Sequence, residues 1–469
     1  MPGQIWEWPA WPEFTTESVK TAEDPDFIVA KKKILDRYGR DALWRGWLQV
    51  CNNLKTVTDE IEAKGNSIIP IFDTQSVLEA GGLSESQRAE AKRIGTFVFR
   101  QTVPKAETEQ LYHELKQYIG DNKDTIQGWP AESPSMLILY DSPVQNTLRG
   151  HPNQLRLQRL LNGLWHDATG KTKPDPLMYH DGVRDRAPGQ PFLGLGPHID
   201  AGSLCRWVDE GYINTYSKIF QGNVNEHDCY DLSLRHLANQ ELFPGMAHSS
   251  VFRSFQGWTA LTPTAPREGT IMVYPNVADV IAYVLLRPFF TPPSNPEDIM
   301  KAEMWELDEK TGWFPGTTKP DSQRLSRASH PHLRLEQCLV HMPKLEPGDS
   351  VWWHSDVSLS PLPSLSSTAL AHEDVHVTRS SFRLITIQVC HAVDTEHLGS
   401  TNAAVAFIAA CPTTAVTEAY VKRQLEATLS GKPSPDYSEG NDLDERTLKG
   451  YVGLGGLSDE AKRAFGFYL

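Results

Sequence analysis

The sequence predicts an α+β fold with a mainly β core, a double-stranded β-helix (a cupin-like jelly roll) with flanking helices. Three observations predict it. Helical periodicity is concentrated in the first third of the chain and in one stretch near its end. From about residue 190 onward, short β-rich runs recur between Gly and Pro turn signals. A hydrophobic fraction of 39%, with 13 Trp and 17 Phe, supplies enough apolar surface for a large core.

In chain order, residues 1–30 are rich in Trp and Pro and aperiodic, and read as an arm lying on the surface. Residues 31–190 read as a helical buttress with the first strands of the core. Ile34, Leu35, Tyr38, Leu43, Trp47 and Leu48 fall at helical spacing and predict one or two amphipathic helices over 31–64. Ser67–Phe72 reads as a strand, and Ser84–Arg93 as a helix with Ser84 as its N-cap. Gly95–Arg100 is a β-rich run, Ala106–Ile119 a helix ending at Gly120, Met136–Tyr140 a strand and Gln154–Trp165 a helix. The polar segment that follows, rich in Pro, Asp and Gly, reads as a loop.

Residues 191–412 read as the jelly-roll core. Its candidate strands are Ser250–Phe255, Thr270–Tyr274, Val280–Leu286, Glu336–His341, Ser350–His354 and Ala403–Ala409. In residues 413–469, Thr413 or Thr414 caps a helix that runs to about Leu429 and stops at Gly431, and the polar remainder reads as a surface wrap. No internal repeat is visible, and the whole reads as one integrated domain.

A net charge of −14 and a pI of about 5.6, with no basic block, argue against a nucleic-acid or anionic-membrane binder. Six Cys without a C-x-x-C pair fit a reducing compartment, and no secretory leader or long apolar span is seen, so a cytoplasmic location is expected.

The chemistry centres on Leu193–Gly202, which holds His198 and Asp200. On a strand, residues i and i+2 share a face, so the pair can offer one nitrogen and one oxygen ligand to a metal ion. A further His would complete a facial triad of two histidines and one carboxylate, the donor set of non-haem Fe(II) sites. With 16 His in the chain, about one His-x-Asp is expected by chance. Three occur: His198/Asp200, His354/Asp356 and His372/Asp374. The first follows a Gly-rich apolar run and has enough chain after it for the remaining strands of a barrel.

Several segments resemble one family: Gly194–Ser203 with Arg206-Trp207, Val251–Leu261, Glu268–Thr270, Pro347–Asp356 and Ala461–Gly466. Together they are similar to the YbiU-like family, a branch of the Fe(II)/2-oxoglutarate-dependent oxygenases. One stretch departs from that pattern. In such enzymes the second metal His follows an aromatic-His strand within a few residues. Here Trp353-His354-Ser-Asp-Val357 runs into a Ser/Leu-rich segment, and Cys390-His391 comes only after it. Removing 357–388 restores the expected spacing, so this segment reads as an insertion, either a retained intron or a family-specific loop.

The resemblance implies Fe(II) and 2-oxoglutarate, with His391 as the distal ligand and His354 as runner-up. Asp356 and Asp394 are possible acceptors for the ligands' second ring N–H. The far carboxylate of 2-oxoglutarate needs a cation, which many relatives place shortly after the distal His. Here Gly399–Ala403 has no basic residue. Arg253 is the first substitute, Arg206 the second, with Ser400 or Thr401 adding a hydroxyl. Trp207, Gln256 and Trp258 are candidates for the substrate pocket. The implied reaction oxidises a C–H bond of a small molecule (an amino acid, carboxylic acid or secondary metabolite) with dioxygen, releasing succinate and carbon dioxide. The competing reading is a cupin-like metal-binding or structural protein without that activity. Carboxylate-poor surroundings of His198 argue against a metal-dependent hydrolase or isomerase.

Overall fold

In a computed structural model, residues 1–13, 24–190, 196–200, 204–239, 242–243, 249–319, 322–354, 390–438 and 441–469 are described. The segment 357–388, with His372 and His376, lies outside the described residues, as does Asp356.

The architecture is mixed α/β, with two large sheets. A nine-stranded sheet has the order Ile71–Asp73, Thr96–Arg100, Ser350–His354, Phe255–Ala260, Ala403–Thr413, Val183–Arg186, Met136–Leu137, Gly128–Trp129, and Lys173–Leu177 pairs separately with Ala403–Thr413. A five-stranded sheet has the order Gln323–Arg324, His198–Ile199, His391–Val393, Ile271–Val273, Val340–His341. From Val183 onward the chain alternates between them: Val183–Arg186 lies in the larger sheet, His198–Ile199 in the smaller, Phe255–Ala260 in the larger, Ile271–Val273 in the smaller. Gln323–Arg324 and Val340–His341 stay in the smaller sheet, after which the chain alternates again, with Ser350–His354 in the larger, His391–Val393 in the smaller and Ala403–Thr413 in the larger. All the pairings among these strands are antiparallel.

Antiparallel partners share a face, so the register sorts the large sheet's side chains. Arg184, Val405, Phe407, Trp258, Val351, Ala409, Gln256 and Trp353 lie on one face. Phe97, Phe99, Phe255, Trp352 and His354 lie on the other. On that second face Phe97 meets Phe72, and His354 packs against Trp165 and Tyr230. Helices Pro25–Tyr38 and Arg40–Lys64 account for the periodic stretch at 31–64, and Trp47 sits at the centre of their core, stacked on Phe290 at 4.5 Å. Helix Glu85–Ile94 starts with a reciprocal cap between Ser84 and Gln87, as its sequence predicts. Helix Ala415–Ser430 is capped by Thr414 and ended by left-handed Gly431.

Several sequence expectations are corrected. Val280–Leu286 is not a strand but belongs to helix Ala278–Leu286, with every side chain from Val280 to Leu286 buried. A continuous apolar run carries no period to separate the two states. Glu336–His341 divides into a helical turn, Leu335–Cys338, and strand Val340–His341. The strand expected at Ser67–Phe72 is preceded by a 3-10 turn and starts at Ile71, and that at Ser250–Phe255 starts at Phe255. The helix expected to stop at Gly120 runs on to Asp121. The supposed loop after Trp165 contributes Lys173–Leu177 and Val183–Arg186 to the large sheet. The chain start docks on the smaller sheet's edge, where Gln4 bridges Val340. The tail is not only a wrap: Asp436 and Tyr437 are buried and Asp459–Ala464 is helical.

Candidate metal centre

His198 sits on a two-residue strand between two neighbours, opposite Arg324 on one side and His391 on the other. Asp200, two residues on, returns to the same face. The donor atoms of His198, Asp200 and His391 all lie within 4.8 Å of one another, and all three residues are buried. The two imidazole centroids are 4.0 Å apart, and His198 Nε2 is 3.2 Å from Asp200 Oδ1.

Neighbouring groups fix this geometry. His198 Nδ1–H donates to the Gly196 carbonyl at 2.7 Å, so the proton on that nitrogen is committed and Nε2 is left to face the carboxylate. Ser322 Oγ donates to Asp200 Oδ1 at 3.1 Å, and Arg206 Nη2 donates to the Asp200 main-chain carbonyl at 3.0 Å. Burial pushes the Asp200 carboxyl up, but the two imidazoles and the Ser322 hydroxyl more than offset it and hold it below the usual carboxylate range. Across the gap between the sheets, the Trp353 indole lies over His391, 6.3 Å between centroids and 27° between planes.

This arrangement fits a divalent metal ion. An Nε2 lone pair and a carboxylate oxygen 3.2 Å apart repel unless a cation or a proton lies between them. A second imidazole at 4.0 Å makes a metal ion, which all three donors can share, better suited than an added proton. Two nitrogens and one oxygen on one face match the facial donor set, with the remaining coordination positions left to other ligands.

The other sequence candidates fall into separate places. His354 is a core residue on the opposite face of its strand. Its ring stacks on Trp165 at 4.5 Å, Nε2–H donates to the Cys229 carbonyl at 3.1 Å, and burial pushes its pKa well below the ordinary histidine range. Gln256 and Trp258 share the face of Trp353 and so look toward His391. Trp207 is packed in the core, donating to the Leu285 carbonyl at 2.9 Å and meeting Phe314 edge-on. Arg206 supports Asp200 from behind. Arg253 is buried beside Asp181, 3.8 Å between Nη1 and Oδ2, with its guanidinium over the Tyr179 ring. Ser400 and Thr401 are exposed on the turn between His391–Val393 and Ala403–Thr413. Asp394 approaches His341 at 3.4 Å, and the acceptor for His198 is a main-chain carbonyl rather than a carboxylate.

Sequence reasoning missed Ser322 and the pair Arg184 and Arg186. Arg186 donates to the carbonyls of Asp394 and Thr395 at 2.6 and 2.9 Å, pinning the turn that follows the His391 strand. Val183-Arg-Asp-Arg186 has one apolar residue followed by three charged ones, so it carries no period-two strand signal, and its surroundings read as loop.

A fold of alternating antiparallel strands around a two-histidine, one-carboxylate cluster defines a class of proteins with a candidate mononuclear metal centre. Residues 23–364 and 384–467 match the Gig2-like family, and the chain belongs to it. The match passes over 365–383, inside the segment that reads as an insertion. The chain is 31% identical over 332 residues to the uncharacterised protein YbiU of Escherichia coli K12, spanning 67% of this chain and 74% of that one. The crystal structure of GlcNAc Inducible Gene 2 from Candida albicans superposes with a TM-score of 0.78 at 23% identity, over 94% of this chain and 89% of that one. A Salmonella typhimurium protein classed provisionally as an oxidoreductase gives a TM-score of 0.75 at 26% identity, over 97% and 99%.

Proposed function

We propose that this protein is a non-haem Fe(II)/2-oxoglutarate-dependent oxygenase, an oxidoreductase that oxidises a C–H bond of a small molecule such as an amino acid, a carboxylic acid or a secondary metabolite. The observation that carries this reading is the cluster of His198, Asp200 and His391, two imidazoles and one carboxylate on one face with their donor atoms within 4.8 Å. The passage of the strands from Val183 to Thr413 between two sheets, in antiparallel pairs, supports a double-stranded β-helix as the scaffold. Kinship with a Salmonella protein provisionally called an oxidoreductase points the same way.

His198, Asp200 and His391 would hold the iron. With 2-oxoglutarate and dioxygen, the bound metal supplies the oxidising power, and succinate and carbon dioxide are released. The chain's own part is placement and exclusion of water. The Gly196 carbonyl accepts from His198 Nδ1–H and so turns Nε2 toward Asp200, and Ser322 and Arg206 hold Asp200 in place. Trp353, Gln256 and Trp258 give the space beside His391 aromatic walls and an amide capable of orienting a polar substrate group. Six free, buried cysteines and the lack, among the described residues, of a helix long and apolar enough to cross a membrane agree with a cytoplasmic setting.

The test is succinate formation from 2-oxoglutarate by the Fe(II)-loaded protein, first alone and then with panels of amino and carboxylic acids. Slow turnover without substrate, stimulated by one compound class, is the expected result. Tight metal binding with no succinate under any condition would leave a cupin-like metal-binding protein as the better reading.

A further inference from the structure

The chain start is tied to both edges of the smaller sheet. Gly3 and Gln4 dock on its edge strand Val340–His341, where the Gly3 carbonyl accepts from His341 N–H at 2.8 Å and Gln4 bridges Val340. Further along, Glu13 reaches the segment that follows the opposite edge strand, Gln323–Arg324. Its carboxylate pairs with Arg327 Nε at 2.8 Å and accepts from Ala328 N–H at 3.1 Å. Between these ends the Arg327 guanidinium lies over the Trp8 ring at 4.9 Å, and Trp8 meets Trp11 edge-on at 5.1 Å. Residues 3–13 therefore form a strap from one edge of the sheet to the other. The family match begins at residue 23, so the strap lies outside it.

Trp11 is where the strap meets the metal centre. It is buried, and its side chain stands against the backbone of Gly196. A Cβ at position 196 would lie 2.9 Å from Trp11 Cγ and 3.1 Å from Trp11 Cβ, so any residue larger than glycine there would displace the indole or the chain beneath it. The Gly196 carbonyl is the acceptor that orients the His198 ring, 2.7 Å from Nδ1, and the next carbonyl, that of Pro197, accepts from Leu325 N–H at 2.8 Å. The strand His198–Ile199 is two residues long. So short a strand has few ladder hydrogen bonds to hold its start, and a buried indole packed on Gly196 adds many dispersion contacts there.

We propose that Trp11 is a positioning residue for the metal ligand His198. By packing on Gly196 it fixes the carbonyl that sets the direction of the imidazole, and the strap thereby couples the start of the chain to metal affinity. The assignment rests on the metal-centre part of the reading above and is independent of the oxidation chemistry. Removing a group that orients a ligating histidine weakens metal binding by roughly ten- to a hundredfold. Trp11 acts through Gly196, one contact further out, which places its effect at the lower end of that range.

The experiment is titration of the full chain with Co(II), read by calorimetry and by the visible absorption of the bound ion, which reports the arrangement of its ligands. Trp11→Ala is expected to weaken Co(II) binding by roughly tenfold and to alter the visible bands. Trp11→Phe, which keeps a ring on Gly196, recovers most of both. Leu54→Ala, which removes a buried side chain from helix Arg40–Lys64, controls for lost stability and leaves both readouts unchanged. Gly196→Ala also weakens binding, because its methyl group meets the indole, but it adds little once Trp11→Ala has removed that ring. Unchanged affinity and bands in Trp11→Ala, an equal change in Leu54→Ala, or additive losses in the double variant W11A/G196A overturn the assignment and leave the metal centre standing. No Co(II) binding by the unaltered chain overturns the metal centre itself, and the assignment with it.

Discussion

His391 lies directly opposite His198 in the register of two antiparallel strands, with 4.0 Å between their ring centroids. The pairing ties two distant parts of the chain to one donor set, and Asp200 joins through the two-residue repeat of its strand. His198→Ala and His391→Ala should each lower divalent-metal affinity by at least about tenfold, with the helical circular-dichroism signal retained. Calorimetric titration with Fe(II) or Co(II) checks this, and unchanged affinity in both variants would remove the cluster as the metal site.

Ser322 Oγ donates to Asp200 Oδ1 at 3.1 Å. Removing such a supporting hydrogen bond weakens metal affinity by roughly tenfold in comparable sites. Ser322→Ala should therefore bind metal more weakly with its unfolding midpoint nearly unchanged, and Ser322→Thr should recover most of the loss.

His354 should behave in the opposite way. It is stacked on Trp165 at 4.5 Å and bonded to the Cys229 carbonyl. His354→Ala opens a cavity and orphans a buried carbonyl, costing about 3 kcal/mol of stability. Urea melts should show that loss while metal affinity stays at the level of the unaltered chain. The reverse pattern would make His354 a ligand.

Stability should fall on mild acidification. Burial, helped by the positive charges of Arg287 and Lys55, pushes His332 down to about 3. Unfolded histidine titrates near 6.5. Between those values the unfolded chain binds a proton that the folded one refuses, so the stability present above pH 6.5 is lost as pH falls toward 3. His332→Gln should reduce proton uptake on unfolding near pH 5 by about one, measured from the pH dependence of denaturant melts. An unchanged slope would mean that His332 is protonated in the native state.

Much of the site was legible in the sequence because it depends on local rules. A His-x-Asp on a strand must present both side chains to one face. Setting aside 357–388 singled out His391, which the structure brings beside His198. Thr414 and Gly431 mark their helix ends for equally local reasons. What was not legible depends on distant partners. The stretch Val183–Arg186 looks like loop because its charges are satisfied from far along the chain: Asp185 by Tyr112, Lys116 and Asn402, and Arg186 by the turn after His391. Val280–Leu286 has no polar residue to set a period, and its burial on all sides follows from the helices and strands around it.

The family match passes over 365–383, so a chain lacking those residues should keep its unfolding midpoint and metal affinity. Loss of either on deletion would show that the segment contributes to the fold or the site.

The most direct test of the central claim is anaerobic addition of Fe(II) and then 2-oxoglutarate, followed by visible absorption. A keto acid chelating iron held by two histidines and a carboxylate gives a metal-to-ligand charge-transfer band. The account predicts that band in the unaltered chain and its absence in His391→Ala. Tight Fe(II) binding by the unaltered chain without the band would contradict it.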